Sequence, residues 1–74
     1  MKTDADWTNQ AKGLLKAELK RRNLSYADLA AKLHAVGVVE SPENINNKIA
    51  RGKFSAVFLL QCLESIGCTD IRLT

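Results

Sequence analysis

Signals that start and stop helices crowd this chain so closely that only short helices fit between them. Ser25, Ser41 and Ser55 stand where N-caps belong, and Gly37, Gly52 and Gly67 follow apolar segments where left-handed stops belong. The clearest start is Ser25-Tyr26-Ala27-Asp28, a capping box with Asp in place of the usual Glu. Ser25 can accept from the backbone N–H of Asp28, and Asp28 can reach back to the N–H of Ser25. Leu24 and Leu29 flank the box as a hydrophobic staple. Ser41-Pro42-Glu43 is a second start, with Pro at the first helical position and Glu at the positive end of the dipole. Phe54 and Ser55 repeat the staple-and-cap pattern, with Leu59 as the staple partner. Asn23 stops the first helix.

These signals predict one domain over 1–74, with helices at about 7–22, 25–36, 41–51 and 55–66 and a tail at 67–74. In the first helix Trp7, Ala11, Leu14, Leu15 and Leu19 recur at helical spacing, and Trp7 reads as a core anchor. Leu29, Ala30, Leu33 and Val36 form the inward face of the second helix, and Ile45 and Ile49 that of the third. The fourth is apolar nearly all round, which marks a central helix or one covered by a partner chain. Leu29 and Leu60 are both expected in the core. Thr69 to Thr74 alternates in a strand-like way, so a short C-terminal strand could pair with Val38-Val39 or with its own copy. The expected class is all-α, with four to five short helices and room for that strand.

Composition narrows the function. The 74 residues hold one His and two Cys, too few for a zinc finger or a disulfide framework. His34, close to a helix end, reads as a surface group on the helix dipole. Cys62 lies in the most apolar helix, where a thiol is inert, and Cys68 has no His near it in sequence. The two Cys lie on different sides of a helix and are expected to be free thiols. No phosphate loop, H-E-x-x-H or paired-Cys spacing is present, so neither catalysis nor a cofactor nor a small-molecule substrate is expected. MKTDADWTNQ lacks the apolar segment of a signal peptide, and no apolar run approaches the ~18 residues of a membrane span, so a cytoplasmic protein without membrane contact is expected. The basic excess is clustered. Lys12, Lys16, Lys20, Arg21 and Arg22 face only Glu18 in one stretch, and Lys48, Arg51 and Lys53 face only Glu43 in another. Such clustering suits a polyanion, although solubility alone could also account for it.

Leu24-Ser25-Tyr26-Ala27-Asp28-Leu29-Ala30-Ala31-Lys32-Leu33 resembles the second helix of lambda-repressor/Cro-like helix-turn-helix domains. Asn47-Lys48-Ile49-Ala50-Arg51-Gly52-Lys53 resembles the end of their recognition helix. The run Ser41-Pro42-Glu43-Asn44 through Arg51-Gly52-Lys53-Phe54-Ser55 also resembles a small group of uncharacterised bacterial proteins. Together the likeness covers roughly residues 14–67. Three features depart from the helix-turn-helix pattern: a longer join from His34 to Ser41, Ile45 and Ile49 spaced by four, and Tyr26 where Gln is common.

The resemblance implies a lambda-repressor-like fold and sequence-specific binding of double-stranded DNA by a small bacterial or phage transcriptional regulator, acting as a homodimer without a cofactor. It places Asn44, Asn47, Lys48 and Arg51 on bases, and Ser25, Tyr26, Lys53 and Lys16 on phosphates. Ser25 and Tyr26 read equally well as capping and packing residues, and the Lys12–Lys16–Lys20 stripe as a solvated face. The alternative function is a protein-interaction module, antitoxin-like or adaptor, on the same scaffold.

Overall fold

The computed structural model describes residues 1–73. Four helices follow in order: α1 (Asp4–Arg21), α2 (Tyr26–Ala35), α3 (Pro42–Arg51) and α4 (Ala56–Ser65). The expected all-α architecture is what the chain adopts. α2 packs against both α3 and α4, and α1 packs against α3. No helix among the described residues is long and apolar enough to cross a membrane.

Each helix starts on an oxygen side chain. The Ser25–Asp28 box forms in both directions: the Asp28 N–H donates to Ser25 Oγ at 3.0 Å and the Ser25 N–H to Asp28 Oδ2 at 2.9 Å. These bonds from Ser25, the backbone one first, hold the Asp28 carboxyl below its ordinary range. Ser41 and Ser55 cap α3 and α4 as expected, accepting from the N–H groups of Asn44 and Phe58. α1 starts earlier than its apolar spacing indicates. Thr3 caps it and forms a second capping box with Asp6. Thr-x-x-Asp carries the same signal as Ser25-x-x-Asp28.

Three helices end in one motif. Past α1, α2 and α4 the residue in the left-handed region is Asn23, Gly37 and Gly67. The N–H of the next residue then bonds back five positions: Leu24 to Leu19 O, Val38 to Leu33 O and Cys68 to Leu63 O, each at 2.9 Å. Leu24, Val38 and Cys68 pack against the core at these points. The stops therefore fold the chain back onto its own interior.

The core is built from pairs of side chains four residues apart, one pair per helix: Leu15 and Leu19, Leu29 and Leu33, Ile45 and Ile49, Phe58 and Cys62. Leu63 and Ile66 complete it. Three expected core residues lie outside. Trp7 is 57% exposed, because it lies about 100° round α1 from the neighbouring Thr8, which takes the inward position against Gly52. Leu60 is 65% exposed. It sits two residues from both Phe58 and Cys62, and so about 200° round the helix from each. Val36, at the end of α2, is also exposed.

The expected C-terminal strand is absent among the described residues. Val38 spends its N–H on the α2 cap, and Val39 stands 84% exposed, so the connection offers no edge to pair with. The tail is held along α1, where Gln10 Nε2 donates to the Leu73 carbonyl at 3.1 Å. Thr74, the last residue of the expected strand, lies outside the described residues.

α3 ends on Gly52, which is buried with φ 67°. A Cβ there would lie 2.5 Å from Thr8 Cγ2 and 2.7 Å from the Thr8 carbonyl oxygen. The close approach of α3 to α1 therefore needs glycine.

Two stability comparisons test this packing by urea unfolding. Leu29→Ala should cost about 2–5 kcal/mol, and Leu60→Ala at most about 0.5 kcal/mol. Equal losses would reverse the assignment of the α4 faces. Gly37→Ala, which meets open space, should cost only the left-handed penalty of about 1–2 kcal/mol. Gly52→Ala should cost clearly more, because the new methyl also meets backbone; parity between the two would refute the Thr8 contact.

Candidate nucleic-acid interface

The ten residues of α3 span about 15 Å. Ile45 and Ile49 fix which way the helix faces, because both are fully buried. Asn44, Asn47 and Arg51 then emerge on the exposed side together with Glu43 and Ala50. Pro42 and the Ser41 cap hold the first turn, leaving the Asn side chains free of capping duty. This face offers amide donors and acceptors and one planar guanidinium.

Lys48, expected on the same face, is placed otherwise. It lies on the flank of α3, where its Nζ meets Glu40 Oε1 at 2.6 Å and sits 4.6 Å from the centre of the Phe58 ring. Its ammonium is thus held by Glu40, although Lys48 stands one turn from both Asn44 and Arg51. No local rule couples Glu40 to Lys48. They lie eight apart across a connection and a helix start, and the only hint is the flanking position of Lys48 on the wheel.

The expected phosphate contacts divide as well. Lys16, Ser25 and Tyr26 line one open cleft of about 500 Å³ between the end of α1 and the start of α2, joined by Lys20 and Asn23. Ser25 Oγ accepts from the Asp28 N–H and keeps its own proton for donation. The Asp28 carboxylate lines the same cleft and opposes an anion there. Lys53 stands apart, paired with Asp4 at 2.7 Å on an exposed surface where such a pair contributes little.

α1 links these parts. Lys12 Nζ donates to the Ala50 carbonyl at 3.1 Å, satisfying an orphan acceptor at the negative end of α3. Lys16 and Lys20 follow at helical spacing, so the stripe runs about 12 Å from the end of α3 to the cleft. The neighbouring arginines are otherwise engaged. Arg22 and Arg21 both bind Glu18 and hold its carboxyl below the ordinary range, Arg22 contributing most.

The candidates for reactive chemistry are dispersed. His34 is exposed on α2. Cys62 is fully buried, and burial, with the Glu40 charge next, pushes its thiol up to about 12, far from a reactive thiolate. Both cysteines are free thiols. Among the described residues no group of three His, Cys, Asp or Glu could hold a metal ion.

A family described as a domain of unknown function, DUF6471, matches residues 7–71. This agrees with the expected likeness to proteins of unestablished function. No curated protein matches the chain, and no solved structure does. The chain belongs, over nearly its whole length, to the DUF6471 family.

Proposed function

We propose that this domain binds double-stranded DNA sequence-specifically, with α3 in the major groove, as a small bacterial or phage transcriptional regulator. The observation that carries the reading is the outward face of α3, where Asn44, Asn47 and Arg51 stand exposed opposite the buried Ile45 and Ile49. Asn can pair bidentately with adenine and Arg with guanine, and a helix of this length fits the major groove. Glu43 repels phosphate but can accept from cytosine N4. Lys16 and Lys20, with Ser25 and Tyr26 at the α2 N-terminus, are suited to phosphate, which positions a protein without reading sequence. The likeness to helix-turn-helix domains supports the same arrangement of α2 and α3.

A two-fold dimer would present two copies of α3 to half-sites one helical turn apart. Val57, Leu60 and Ile71 line an exposed groove of about 730 Å³ between α4 and the tail, and this face suits the dimer contact. The same groove favours the second reading, a protein-interaction module on this scaffold, antitoxin-like or adaptor, whose partner covers α4.

Binding titrations on preferred and scrambled duplexes test the first reading. With roughly four phosphate contacts per protomer, log affinity should fall against log salt with a slope on the order of −3 to −4. Asn47→Ala and Arg51→Ala should each lose about 1–3 kcal/mol on the preferred site and less on scrambled DNA. Lys16→Ala should weaken all duplexes alike and reduce the slope by roughly one. A flat salt response, or no retardation of duplex DNA at low salt, would remove the DNA reading.

Sedimentation equilibrium tests the groove. Leu60→Glu should convert a dimer to a monomer while leaving the helical circular dichroism unchanged. A wild-type monomer at DNA-saturating concentrations would turn the groove over to a partner protein.

A further inference from the structure

We propose that Glu40 is a specificity-determining residue, which withholds Lys48 from nucleic acid and locks the α2–α3 connection to the α3 helix; the proposal rests on the DNA-binding reading. Asn44, Lys48 and Arg51 follow each other at helical spacing along one edge of α3. An outward Lys48 would therefore stand beside Arg51 at the groove. The structure turns it the other way, onto Glu40 and the face of Phe58.

The pair is asymmetric. The Glu40 side chain is only 14% exposed, while that of Lys48 is 43% exposed. Glu40 Oε2 is buried and has no hydrogen-bond partner among the described residues. Lys48 is thus the group that balances a largely buried carboxylate, whereas Lys48 itself can swing into water. Loss of the lysine leaves a buried charge alone, and loss of the carboxylate releases a cation at the edge of α3.

Such a release has a defined effect on recognition. An ammonium on a flexible stem acts as a point charge and binds any phosphate. It adds affinity for every duplex alike and so dilutes the discrimination supplied by Asn44, Asn47 and Arg51. Glu40 also stands in the connection immediately before the Ser41 cap. Its grip on Lys48, which in turn lies over the Phe58 ring, ties that long join to α3 and through it to α4, which fixes the direction in which α3 leaves α2.

The test uses Glu40→Gln, Glu40→Ala, Lys48→Met and the double variant Glu40→Gln/Lys48→Met. Urea midpoints are measured alongside titrations on preferred and scrambled duplexes over a salt series. Lys48→Met should lower the midpoint more than Glu40→Gln does, and the double variant should recover part of that loss. Both Glu40 variants should bind scrambled duplex several-fold more tightly than wild type. Their salt slope should steepen by about one and their preference for the chosen site should narrow. The double variant should return to the wild-type slope. Additive midpoints would overturn the pair itself. Coupled midpoints with an unchanged slope and unchanged scrambled affinity would overturn the withholding role while leaving the DNA reading intact. Coupled midpoints in a wild type that retards no duplex at low salt would sink the DNA reading, and the specificity role with it, and leave only a structural pair.

Discussion

The interlocking of four apolar pairs, one from each helix and each pair four residues apart, is the interaction on which every other feature depends. Ten-residue helices such as α2, α3 and α4 do not hold in water by propensity alone. They hold here because Leu29 and Leu33, Ile45 and Ile49, and Phe58 and Cys62 close on Leu15 and Leu19 of the longer α1. Each pair also fixes the rotation of its helix and so decides what points outward. The exposure of Asn47 and Arg51 follows directly from the burial of Ile45 and Ile49. With so small a core, the side-chain caps and back-folded helix ends supply a substantial share of the remaining stability.

The same rotations sort the charges. Counted along the chain, the basic stretches around α1 and α3 look broad. In the structure Arg21 and Arg22 turn to Glu18, Lys48 to Glu40 and Lys53 to Asp4. Lys16, Lys20 and Arg51 form no ion pair among the described residues. With Lys12 they make one basic stripe from the cleft to the end of α3, while Lys2, Lys32 and Arg72, likewise outside any ion pair among the described residues, lie elsewhere on the surface.

Most of this architecture is legible in the residues because its signals are local. The capping boxes, the Pro after Ser41, the glycine stops and the i, i+4 apolar pairs all act within one or two turns. What was not legible acts over longer distances. Trp7 keeps perfect helical register with Leu14, yet both stand off the buried Leu15 and Leu19 side, and the contact with α3 falls to Thr8. Leu60 sits in a helix apolar on every side, where hydrophobicity cannot distinguish inside from outside. Lys48 meets Glu40 through the path of a connection rather than through spacing. The outward face of α3 was legible for Asn44, Asn47 and Arg51, because only burial of Ile45 and Ile49 was needed to place them. Thr3 is a different case: its Thr-x-x-Asp signal was present, but the apolar spacing pointed further along.

The seating of Gly52 on Thr8 couples the start of the chain to the end of its third helix. The far end of α3 rests on the second turn of α1, with Lys12 holding the Ala50 carbonyl and Lys53 reaching Asp4. The start of α1 and the end of α3 are thus seated on one another. Substitutions at Thr8 or Lys12 would disturb the seating of α3 without altering any side chain on its outer face. A change in those early turns would therefore reach the orientation of α3 while leaving the Ile45 and Ile49 pair untouched.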